Sequence, residues 1–129
     1  MCEIFIRADP ESYASRTRSL RLHGVVTSLR LENLFWDVLR EIGARDGLSL
    51  SQLLEKLYDE LVAARGEVGN FASFLRVSAL RYLALQALDR IPADPQVPIR
   101  SLDAQRVLER LPAPWTAAAP QTPPASARR

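Results

Sequence analysis

The chain has 129 residues, 47% of them hydrophobic, and a formal net charge of +2, which suits one small domain with a modest core. Its single cysteine, Cys2, excludes an internal disulfide framework and a cysteine-based zinc site. No uncharged apolar run approaches the roughly 18 residues of a membrane span, and the start Met1 to Arg7 is too short and too acidic for a secretory signal. The expectation is a cytoplasmic protein with no membrane contact.

Residues 1–15 read as an N-terminal arm. Ile4, Phe5 and Ile6 precede the turn signal Asp9-Pro10, a pattern that fits a small extra strand or a docked arm equally well. Residues 16–31 follow with Arg16, Arg18, Arg21, Arg30 and His23 and no acidic residue, the charge footprint of a phosphate-facing surface. Within this block Val25 to Leu31 is the clearest strand. Strand alternation puts Val25, Thr27, Leu29 and Leu31 on one side and Val26, Ser28 and Arg30 on the other.

A lone strand needs a partner, and a two-stranded ribbon needs helices over one face. Two pairings are open. Ser19-Leu20-Arg21-Leu22 recurs as Ser28-Leu29-Arg30-Leu31, so His23-Gly24 could turn an intrachain hairpin. His-Gly is a weaker primed-turn pair than Asn-Gly, however, and the favoured reading pairs the strand with its copy in a second chain about a two-fold axis.

Helix signals occupy the next stretch. Asn33 to Arg45 places Leu34, Phe35, Val38, Leu39 and Ile42 on one face, with Trp36 at the edge of the stripe. Asp46-Gly47 closes that helix, and Ser49-Leu50-Ser51-Gln52 is a capping-box pattern opening the next, which runs to Arg65-Gly66. Asn70 caps a third helix, Phe71 to Leu88, apolar around most of its circumference and therefore expected to have neighbours on more than one side. Prolines crowd the chain after Asp89, so residues 89–129 read as a Pro/Ala-rich, largely disordered tail, interrupted by a short helical pattern from Ser101 to Leu111.

Chemistry on the strand's polar face suits a DNA groove. Arg30 can donate two hydrogen bonds to guanine, Ser28 can donate or accept, and Val26 can touch a thymine methyl. The first amides of the second helix, at Ser49, Leu50 and Ser51, can hold a phosphate; Ser49 also reads simply as a cap. His23, the only histidine, lacks a second histidine or a cysteine nearby, so no metal site is expected. No cofactor site and no convergent catalytic group is evident, so an enzyme is not expected.

The run His23 to Trp36 with the two helices after it resembles the ribbon-helix-helix family, over residues 16–86. The resemblance implies a mainly α fold with one short β-strand per chain, completed as an intertwined homodimer whose two-stranded antiparallel ribbon enters the major groove. It implies double-stranded DNA binding and transcriptional regulation, with repression the expected mode. Val26, Ser28 and Arg30 would face bases; Arg16, Arg18, Arg21, His23, Ser49, Leu50 and Ser51 would meet phosphates; Leu29, Leu31, Phe35, Leu53 and Leu57 would form the dimer core. Residues 16–88 would be the DNA-binding domain with an added third helix. The alternative is a protein-interaction module, an antitoxin or adaptor, that docks a partner through that third helix or the tail.

Overall fold

A computed structural model describes residues 2–119, and the Arg128-Arg129 end lies outside the described residues. Two short helices, α1 (Cys2–Ile6) and α2 (Pro10–Tyr13), precede strands β1 (Ser15–Leu22) and β2 (Val25–Glu32). Three longer helices follow, α3 (Asn33–Arg45), α4 (Leu50–Arg65) and α5 (Phe71–Ala87), and then a 3-10 turn (Ile99–Ser101) and α6 (Ala104–Val107). The arm is therefore helical rather than a strand. It is tied to α3 by the Asn33 amide donating to Ala14 O at 2.9 Å and by Asn33 Nδ2 donating to Glu11 O at 2.9 Å.

The strands give the first correction. The described residues hold two, and β1 pairs antiparallel with β2 over its whole length, from Ser15 opposite Glu32 to Leu22 opposite Val25. The ribbon is complete within one polypeptide, without a strand from a second copy. His23 has φ 52 and Gly24 φ 80, the two positive angles that a two-residue type I′ turn demands. Histidine is one of the side chains that tolerates that region better than most, which the comparison with Asn-Gly undervalued.

One face of the hairpin carries Leu20, Leu22, Leu29 and Leu31, all buried against the helices. Each contributes about 1.5–3 kcal/mol by leaving water. Trp36, Leu39, Leu50, Leu53, Leu54, Phe71, Leu75 and Ala79 complete this core. Leu29, Leu31 and Leu53, expected at a dimer core, are thus buried inside a single chain, with Phe35 and Leu57 half-buried around them. The inward face of α3 is also rotated from expectation: Trp36 is 2% exposed and Leu34 is 55% exposed. The hairpin roofs Trp36, whose Nε1 donates to Arg16 O at 3.0 Å.

The helix junctions follow the sequence signals. Gly43 allows the α3–α4 connection to pass close by, since a Cβ there would meet Leu48 O at 3.0 Å. Ser49 and Gln52 form the reciprocal capping box at 3.2 and 2.8 Å, and Asn70 caps α5 by accepting from the Ser73 amide at 3.0 Å.

Residues 89–119 differ from the disorder expected of them. Ile91 and Leu111 are buried with Tyr82 and Leu85, and Ile99, Leu102, Val107, Leu108 and Trp115 pack around them. Two arginines satisfy the carbonyls of this irregular segment. Arg45, 5% exposed, donates to Val97 O and Asp94 O at 3.0 Å each and to Tyr82 Oη at 3.1 Å, and its guanidinium stacks 5.8 Å from the Tyr82 ring centroid. Arg90 donates to the carbonyls of Arg106, Val107 and Glu109. Arg45→Ala should lower stability by about 2–4 kcal/mol, from lost charge-assisted bonds and lost packing. Limited proteolysis should then cut first between residues 92 and 100, while the wild type resists there.

Candidate nucleic-acid interface

The register of the hairpin decides which side chains share its outer face. Thr17 stands opposite Arg30, Ser19 opposite Ser28, and Arg21 opposite Val26. All six are exposed, and the inward-pointing positions that alternate with them include the four buried leucines. The two Ser-Leu-Arg-Leu copies face each other across the ribbon only at Ser19 and Ser28. Their serines meet in the middle, and their arginines occupy diagonal corners, about 13 Å apart along the strand axis at the usual rise per residue. Among the described residues neither Arg21 nor Arg30 is in an ion pair. Two guanidinium forks and three hydroxyls on a ribbon of this width match the donor and acceptor edges of a major groove.

Val26, Ser28 and Arg30 therefore lie together, as expected, and Arg21 joins them rather than standing apart. Thr17 and Ser19 are the members that sequence reasoning missed. The signal was present, since a two-residue turn at 23 and 24 pairs Ser19 with Ser28.

The remaining expected residues separate. Arg18 lies on the helix-covered side, half-buried, with its guanidinium 5.8 Å from the Trp36 ring centroid, so part of its surface is spent on packing. Arg16 is exposed at the open end of the hairpin. His23 sits at the turn against α4, with Nε2 hydrogen-bonded to Asp59 Oδ1 and Nδ1 3.8 Å from Glu55 Oε1. The hydrogen bond to Asp59 and that carboxylate's charge raise the imidazole pKa, outweighing desolvation, and Glu55 adds a weaker pull in the same direction. With two carboxylates beside it, His23 is poorly placed to receive a phosphate.

Ser49, Leu50 and Ser51 begin α4, whose later residues Glu55 and Asp59 meet the hairpin turn. The capping box uses the amides of Ser49 and Gln52. Those of Leu50 and Ser51 belong to the first turn, which has no intrahelical acceptor.

The open end of the ribbon is braced from behind. Arg76 on α5 donates through Nε to Glu32 Oε1 at 2.8 Å and through Nη2 to Arg30 O at 3.2 Å. The Arg76 hydrogen bond, helped by a backbone one, holds the Glu32 carboxyl below the usual carboxylate range.

A model of the ribbon-helix-helix domain matches residues 15–83, so the chain belongs to the ribbon-helix-helix family. Proteins of this family generally bind DNA and form dimers, and the domain is typically non-enzymatic. Among solved structures, an uncharacterized protein from Bordetella pertussis Tohama I is similar. It is 66% identical, with a TM-score of 0.89, over 95% of this chain and 98% of that one. No curated protein matches. No helix of the described residues is long and apolar enough to cross a membrane.

Because its pKa is depressed in the fold, Glu32 stabilises the protein above the ordinary carboxylate pKa, and that increment is lost as pH falls through the lowered value. Both partners are partly exposed, so the increment should be below about 1 kcal/mol. Glu32→Gln should remove it: thermal melts of variant and wild type should differ near neutrality and converge in acid.

Proposed function

We propose that the outer face of the β1–β2 hairpin enters the major groove of duplex DNA and that the protein regulates transcription there, repressing by occlusion of promoter DNA. The observation that carries this reading is the arginine and hydroxyl face, built twice over by the repeat and stiffened by a leucine layer beneath. Arg21 and Arg30 read guanine edges at its two ends, with Ser19 and Ser28 between them, Thr17 beside Arg30 and Val26 against a thymine methyl. Arg16 and the free amides of Leu50 and Ser51 hold phosphates on either side.

Self-association is part of the proposal, in a form other than strand exchange. Val77, Leu80 and Leu83 are exposed on α5, with Leu88 just past its end. Helical spacing turns them away from buried Leu75, Ala79 and Tyr82. A helix apolar on both sides calls for a second neighbour, and dimerisation through this face would set two hairpins on one duplex. The same face is where a protein-interaction module would dock another partner. The apolar residues of 101–111, by contrast, pack on the chain's own α5.

Duplexes enriched from a random pool should bind the purified protein with an affinity that falls steeply as salt rises. Arg21→Ala and Arg30→Ala should each lose about 1–3 kcal/mol of discrimination, at base positions related by the symmetry of the hairpin. Arg16→Ala should weaken all sequences equally. Uniform loss in all three variants would reject base reading by the hairpin.

In sedimentation, wild type should be dimeric, and Leu80→Glu should be monomeric with an unchanged circular dichroism spectrum. A wild type that stays monomeric at all concentrations would assign the α5 face to a different protein.

A further inference from the structure

We propose that the hairpin turn and α4 together form a binding site for a divalent cation of borderline hardness, zinc being the representative, held by His23, Glu55 and Asp59. One imidazole nitrogen and two carboxylate oxygens, one from each residue, all lie within 4.8 Å of one another. Ligand atoms on a common zinc ion sit roughly 3.4 Å apart, given bonds of about 2.0–2.2 Å in tetrahedral geometry. Side-chain rotations of about an ångström close that gap.

The donors converge for reasons of fold. Glu55 and Asp59 are i, i+4 neighbours on α4 and share one face. His23 arrives from another element 36 positions away in sequence from Asp59, aimed by the positive φ of the turn. Tyr58 flanks the imidazole, with ring centroids 6.2 Å apart. An open groove of about 390 Å³ lined by Gln52, Glu55, Lys56, Asp59 and Glu60 adjoins the cluster, with room for the waters that would complete coordination. Lys56 is engaged with Glu60 at 3.5 Å, not with Glu55 or Asp59.

A nitrogen donor with two carboxylates suits zinc and its transition-metal neighbours, whereas magnesium and calcium prefer oxygen alone. A bound ion would tie the tip of the ribbon to α4. The binding itself does not depend on the DNA reading.

Tag-free full-length protein should take up a single zinc ion per chain in calorimetry with zinc chloride. His23→Asn, which keeps a side chain tolerant of positive φ, should weaken binding by at least about tenfold, as should Asp59→Asn. Both variants should keep the wild-type circular dichroism spectrum. Imidazole resonances of wild type report directly, because His23 is the only histidine in the chain, and they should shift in step with zinc uptake. Failure to bind zinc, an unmoved imidazole signal, equal affinity in the variants, or displacement by excess magnesium would each overturn the site.

Discussion

The burial of Leu20, Leu22, Leu29 and Leu31 under α3, α4 and α5 is the constraint on which the rest of the molecule depends. A two-stranded ribbon has too little contact of its own to persist in water, and this one persists because four leucines alternate onto a helical floor. Alternation then frees the opposite face from any packing demand. Serine, threonine and arginine occupy it at no cost to the core, and their spacing is fixed by the alternation of the strands. Trp36 extends the same logic to the open end, where its indole nitrogen fastens onto β1 and its ring carries Arg18.

Much of this was legible in the sequence, because it is local. The helices began and ended where Asn33, Gly47, Ser49, Gly66 and Asn70 signalled, and the alternation of Val25 to Leu31 separated its two faces correctly. What escaped was non-local. The partner of β2 turned on weighing a His-Gly turn against a second polypeptide, and it is that two-residue turn, not the repeat, that sets the register. Leu34 and Trp36 exchanged roles because the intrachain hairpin covers a side of α3 that helical periodicity alone leaves undefined. The segment after Asp89 is rich in proline, which reads as disorder; its order comes from Arg45 and Arg90, which gather carbonyls from stretches far away in sequence. The neighbours of His23 were invisible for the same reason, since both lie on α4, more than 30 positions further along the chain.

The arginines of residues 16–31 show how composition and environment part company. As a block they are a basic stretch; in the fold, Arg21 and Arg30 point outward from the sheet, Arg18 covers an indole, and Arg16 stands at the rim. Arg76, from outside the block, adjusts the backbone of β2 by holding the Arg30 carbonyl. Charge counted along the sequence therefore overstates how many of these cations are available to a polyanion.

The two-residue connection at His23-Gly24 has an evolutionary corollary. When a ribbon is shared between identical subunits, every substitution in it appears twice and the surface stays palindromic. Here each strand is encoded separately, so β1 can diverge while β2 stays fixed. The identity of the two tetrapeptides is thus not imposed by symmetry, and a substitution in either one would change one strand of the outer face and leave the other as it is.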